Sequence, residues 1–129
     1  MQWNLDSNLP LYLQIADKIK LGIVSGKYIP GCKIDSVRDL AQQSGVNPNT
    51  MQRALGRLED EGLLLTNRTS GKYITEDIQM IDKFKYALAK EYIKNFLDSM
   101  EQTGFSREEI SNLLKSELEG ESNDVHIGM

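Results

Sequence analysis

Cysteine and histidine are nearly missing from this chain of 129 residues, which has one of each, Cys32 and His126. One cysteine excludes an intrachain disulfide, and the pair falls short of the ligand set of a structural zinc site. Cys32 is expected as a small buried or half-buried filler, and His126, in an acidic stretch, as inert. No apolar run approaches the roughly 20 residues that span a bilayer, so no membrane partner is expected. Met1-Gln2-Trp3-Asn4-Leu5-Asp6 has neither the cationic nor the apolar region of a signal peptide. The expectation is a cytoplasmic protein. Catalytic constellations are missing too: there is no second histidine or cysteine, no glycine-rich phosphate loop, and no carboxylate pair at a shared site. Neither an enzyme nor a metal or other cofactor is expected.

Acidic residues are lacking in one place where their absence is informative, between Val46 and Leu58. The formal net charge of −4 argues at first against nucleic acid, but it is unevenly spread. Residues 1–75 hold nine Lys/Arg against seven Asp/Glu, a net of +2, and residues 76–129 hold six against twelve, a net of −6. The acidic part would be repelled by phosphates and should face away from DNA. In the weakly basic part, Asn47 is a good N-cap and Pro48 suits a first helical position. Met51, Ala54, Leu55 and Leu58 recur at helical spacing. The opposite face carries Asn49, Gln52, Arg53 and Arg57, amides and guanidinium groups that can bond to base edges or pair with phosphates.

Around this segment the pattern is regular. Tyr12, Ile15, Ala16, Ile19 and Ile23 predict a helix from Leu11 to Val24, with Pro10 ahead and Gly26 beyond. Lys27 to Gly31 reads as a short extended piece ending in a Pro-Gly turn. Ser36-Val37-Arg38-Asp39 then forms a capping box opening a short second helix. Gln43-Ser44-Gly45-Val46 supplies the turn into the third helix, Pro48 to about Glu61. Leu63-Leu64-Leu65-Thr66 and Lys72-Tyr73-Ile74-Thr75 flank a turn-rich segment and predict a β-hairpin. This order is that of a winged helix-turn-helix, whose second helix enters the major groove.

Beyond Thr75 a long helix is expected, Ile78 to Gln102, with Ile81, Phe84, Leu88, Tyr92, Phe96 and Met100 on one stripe. Thr103-Gly104 breaks it. Ser106-Arg107-Glu108-Glu109 caps a shorter helix to about Glu119 that carries Ile110, Leu113, Leu114 and Leu118. The fold class expected is mainly α with a small β-hairpin wing. Residues 1–76 form a winged helix-turn-helix domain, 77–119 a two-helix dimerisation extension and 120–129 a disordered tail. A two-helix hairpin has too little interior to hide its own stripe, so Ile81, Phe84, Leu88, Tyr92, Phe96, Leu113 and Leu114 are expected at a two-fold homodimer interface. The same aromatics could instead line a pocket for a small-molecule effector, although no residue identifies one.

With these residues in place, Leu9 to Thr75 resembles the DNA-binding domain of GntR-family bacterial transcription regulators. The matching motifs are Pro10-Leu11-Tyr12-x-Gln14-Ile15, Gly26-x-x-x-Pro30-Gly31, Ser36-Val37-Arg38-Asp39-Leu40-Ala41, Val46-Asn47-Pro48-Asn49-Thr50-x-Gln52-Arg53-Ala54 and Leu58-x-x-Glu61-Gly62-Leu63. The short C-terminal part resembles the YtrA-type subfamily, dimeric regulators often linked to transporter operons. The resemblance implies contacts to double-stranded DNA from Ser36 and Arg38, from Asn47, Asn49, Thr50, Gln52 and Arg53, and from Arg68 and Gly71 in the wing. Arg57 joins them from its helix face, unless it pairs with Glu61 four residues on. Two positions depart from the family pattern: Ile34-Asp35 stands where Leu-Pro is usual, and Thr69 where the wing commonly has a first glycine. The function implied is a sequence-specific DNA-binding regulator, a homodimeric repressor on an inverted-repeat operator. The rival is a winged-helix protein-interaction adaptor without specific DNA readout.

Overall fold

The computed structural model describes residues 3–120. Its elements are α1 (Leu11–Val24), α2 (Val37–Ser44), α3 (Pro48–Asp60), β1 (Leu64–Asn67), β2 (Gly71–Ile74), α4 (Ile78–Gln102) and α5 (Arg107–Leu118). The chain divides into two compact units between Tyr86 and Ala87. His126 and all of the expected tail after Gly120 lie outside the described residues.

In the first unit α3 packs on α1, α2 and β1. Met51, Leu55 and Leu58 of α3 and Ile15, Ile19 and Ile23 of α1 are at most 1% exposed, and Leu63, Leu64 and Ile74 close the core from the hairpin side. The helix ends follow from local chemistry. Asn47 accepts a 2.7 Å hydrogen bond from the Asn49 amide, and Pro48 occupies the first turn, where its missing N–H costs nothing. Ser36 accepts from the Asp39 amide at 3.1 Å. Gly45 adopts φ 74° to close α2, a left-handed conformation that allows a tight turn into α3. Pro10 has no polar side-chain atom and makes no side-chain capping hydrogen bond to α1. Gln14 substitutes: its side chain accepts from the Asp6 amide and donates to the carbonyls of Asp6 and Leu9, fastening the segment before α1.

β1 and β2 pair antiparallel, with Leu64 opposite Ile74 and Asn67 opposite Gly71. Both strands lie one residue away from their expected bounds, displaced in opposite directions. The extended contact before α2 also falls later than expected, over Gly31 to Ile34 rather than Lys27 to Gly31. Gly31 and Ile34 donate to the carbonyls of Ile74 and Lys72, Ile74 donates to Cys32, and Lys33 bridges to Tyr73. This segment therefore covers the free edge of β2. Ile34 fills the space beside the hairpin at 6% exposure, and Cys32 is exposed rather than buried.

The first turns of α4 belong to the first unit. Asp77 caps them by accepting from the Met80 amide, and the Met80 Cε lies 3.2 Å from where a Cβ on Gly62 would stand. Ile81, expected on a dimer surface, is instead core of this unit at 6% exposure. Phe84 is half-buried, with the Lys20 ammonium 5.0 Å from its ring centre.

The second unit has the remainder of α4 and α5. Ser106 and Glu109 form a reciprocal capping box, and Ile110 is buried. Leu88 is half-buried, whereas Tyr92, Ile93, Phe96, Leu113 and Leu114 are exposed, by 54% at Tyr92 and 42% at Leu114.

Because Leu58 is fully enclosed, Leu58→Ala is expected to lower unfolding free energy by about 2–5 kcal/mol, whereas Asn47→Ala should cost about 1 kcal/mol through loss of the cap. Urea titrations of both variants measure this; equal losses would contradict the assignment of Leu58 to the core.

Candidate nucleic-acid interface

The candidate surface is built by three elements of the first unit. α3 presents Asn49, Gln52, Arg53 and Arg57, all exposed, while the same helix buries Met51, Ala54, Leu55 and Leu58. The separation follows from helical spacing alone. Thr50 is half-buried, and the Asn47 side-chain oxygen is committed to its cap. Ser36, exposed, caps α2, and Arg38 is exposed in the first turn, where unpaired amides and a guanidinium can together hold an anion. In the wing Arg68 is exposed and Gly71 half-buried at φ 113°. A cleft of about 560 Å³ lies between the wing and the segment leading into α2, lined by Lys33, Asp35, Ser36, Ser70, Gly71 and Lys72 among others.

Electrostatics decide which of these cations are free. Glu61 accepts an ion pair from Lys20 at 3.0 Å, so Arg57 does not have it as a partner. Glu59 pairs with Lys72 of β2, also at 3.0 Å, and Lys72 bonds the Thr66 hydroxyl as well. Two acids at the C-terminal end of α3 are thus engaged by lysines of α1 and the wing. Both pairs are half-buried, which lessens screening by salt. One oxygen of Glu61, Oε1, is buried without a hydrogen-bond partner. Among the described residues, Arg38, Arg53, Arg57 and Arg68 form no ion pair. Arg53 has another neighbour: its guanidinium carbon is 3.8 Å from the centre of the Tyr12 ring.

The two departures from the family pattern have local explanations. Asp35 is exposed, and its Oδ2 accepts from Gln43 Nε2 at 2.9 Å. Thr69, in place of a glycine, donates through both its amide and its hydroxyl to the Asn67 side-chain oxygen, at 3.0 and 2.9 Å. The loop is closed by an Asx-type turn that does not need glycine at that position, and Gly71 carries the positive φ. Burial, and then the nearby Asp35 carboxylate, raise the Tyr28 phenol above its ordinary value of 10.0.

The lysine pairs and the Tyr12 stack have no local sequence signature, since each joins residues distant along the chain. Gln14, by contrast, stands within the Pro10-to-Ile15 motif, and that motif was the available signal for its fastening role. Among the described residues no cluster of His, Cys, Asp and Glu could hold a metal ion, and no helix is long and apolar enough to cross a membrane.

Residues 11–74 match the family described as "Bacterial regulatory proteins, gntR family". The chain is 38% identical over 120 residues to the uncharacterized HTH-type transcriptional regulator YhcF of Bacillus subtilis, covering 93% of this chain and 99% of that one. It is 34% identical over 110 residues to the transcriptional repressor YtrA of the same organism, covering 84% and 85%. Among solved structures, a GntR family transcriptional regulator from Listeria monocytogenes superposes with a TM-score of 0.80 at 39% identity, covering 87% of this chain and 98% of that one. The DNA-binding domain of AraR in complex with operator ORX1 gives 0.50 at 34% identity, covering 58% and 92%. Together with the helix-turn-helix, the hairpin wing and the two helices that follow, these similarities show that the chain belongs to the GntR family of bacterial transcription regulators, with YtrA-type regulators among its relatives.

Proposed function

We propose that this protein is a homodimeric repressor that binds an inverted-repeat operator, with α3 of each protomer in the major groove of one half-site. The observation that carries this is the exposed face of Asn49, Gln52, Arg53 and Arg57, acid-free up to Leu58, with two of the three acids just beyond it, Glu59 and Glu61, paired to lysines and Asp60 exposed at the helix end. Gln52 and Arg53 read base edges, where a bidentate contact discriminates by about 1–3 kcal/mol. Arg38 and the α2 amides hold a phosphate, which sets position without reading sequence. Asn49, Thr50 and Arg57 complete the α3 contacts, and Arg68 and Gly71 bring the wing to the backbone or minor groove. The DNA-binding domain of AraR in complex with an operator supports operator binding by the related first unit, and repression is supported by the relative YtrA. Occlusion of a promoter needs no further domain. Regulators of this family are not typically enzymes.

Dimerisation is supported by the second unit, whose exposed Tyr92, Phe96, Leu113 and Leu114 form more apolar surface than two helices can hide by themselves. The winged unit spans 1–76 with the first turns of α4, and the dimerisation part follows it.

Selection of bound duplexes from random DNA is expected to enrich a palindromic motif with half-sites about 34–36 Å apart, one helical turn. Arg53→Ala should relax preference at particular base pairs, and Arg38→Ala should weaken operator and random duplexes alike, both in titrations at several salt concentrations. Absence of enrichment would favour a protein-interaction adaptor, and identical losses for the two variants would remove the division of roles. In sedimentation equilibrium, Phe96→Asp is expected to shift the protein to monomer without lowering the melting temperature of the winged unit. A variant that stays dimeric would place the interface elsewhere.

A further inference from the structure

We infer that Tyr12, on α1, is a positioning residue for base reading: its ring holds the Arg53 guanidinium in the orientation that meets the DNA. This rests on the reading of α3 as the base-reading helix. The Arg53 guanidinium carbon is 3.8 Å from the Tyr12 ring centre, the distance of a stacked cation–π contact. Tyr12 belongs to the apolar period of α1, but it is only half-buried, whereas Ile15 and Ala16, three and four residues on, are buried. Those two anchor the turn that presents the ring, and the packing of α1 on α3 sets the ring beside Arg53.

Stacking occupies only the flat face of a guanidinium. Its N–H donors lie in the plane and stay free for a bidentate contact to a base. An arginine without such a support has many rotamers, and in a field of phosphates most of them lead to a backbone contact that carries no sequence information. No carboxylate pairs with Arg53 among the described residues, so the ring is the contact that restricts it. The order of the side chain is set before DNA arrives, and less freedom is lost when the base contact forms. Tyr12 thus acts on specificity through Arg53 without itself reading a base.

The test measures affinities of the full-length protein for its selected operator and for duplexes altered at single base pairs. Tyr12→Leu should reduce discrimination at the base pair that Arg53 reads by about fivefold, with other positions unchanged. Tyr12→Phe, which keeps the ring, should retain wild-type discrimination. In the Arg53→Ala background, Tyr12→Leu should add nothing. Independently, the Arg53 Nε–H resonance of the free protein should shift upfield by the ring current, and Tyr12→Leu should abolish that shift even if it lowers stability. The inference is overturned if Tyr12→Leu weakens all duplexes equally, if its effect persists without Arg53, or if the ring-current shift is absent. A uniform loss in Tyr12→Phe overturns it as well, because the hydroxyl would then be contacting phosphate. Failure of the underlying reading is visible separately: wild-type protein would enrich no motif, or Arg53→Ala would change no base preference, and positioning would fall with it.

Discussion

The apolar seam between α1 and α3 is the constraint on which the rest depends. Ile15, Ile19 and Ile23 on one side and Met51, Leu55 and Leu58 on the other are removed from water almost completely, and burying a side chain of this size contributes about 1.5–3 kcal/mol. Once that face of α3 is fixed inward, the helical period leaves Asn49, Gln52, Arg53 and Arg57 outward. The placement of the candidate surface is therefore a by-product of core packing. Only its chemistry, amide and guanidinium without carboxylate, is an additional choice.

Two half-buried ion pairs then adjust the electrostatics of that surface. Lys20 and Lys72 reach Glu61 and Glu59 from different elements. Their net contribution to stability is modest because desolvation opposes the attraction. Their local effect is to engage two of the three acids at the end of α3, Glu59 and Glu61, while Asp60 stays exposed and, among the described residues, in no ion pair. Lys20 also lies over Phe84, so one lysine connects α1, the end of α3 and the opening turns of α4.

Much of the fold was legible because local rules govern it. The bounds of α1 and α4 and the starts of α2 and α3 follow from periodicity, proline, and the Ser36 and Asn47 caps. The strands were less legible: Leu63-Leu64-Leu65 is apolar throughout and gives no alternation to mark where pairing begins. Cys32 and the Gly31–Ile34 edge contact were misplaced because backbone pairing to β2, more than forty residues further along the chain for Gly31 and Ile74, decides their environment. For the candidate site, the residue types on α3 could be read directly. The state of each cation could not. Glu61 stands four residues from Arg57 and suggests a pair, yet Lys20 takes it; Tyr12 counts as apolar in a periodicity analysis, yet it supports a cation. Ile81 shows the same limit, since a stripe on a helix does not say which part of the stripe is covered by which neighbour.

The wing loop has a further consequence. A glycine at its tip would give a hinge with many conformations, most of them useless for fitting a groove. Thr69 instead gives two hydrogen bonds to Asn67 and a single bent shape. Such a tip behaves as a fixed template rather than an adaptable finger. If the wing meets DNA as proposed, such a tip would fit best where groove width already matches its curvature, and the geometry of a site, beyond its base sequence, would then enter selection.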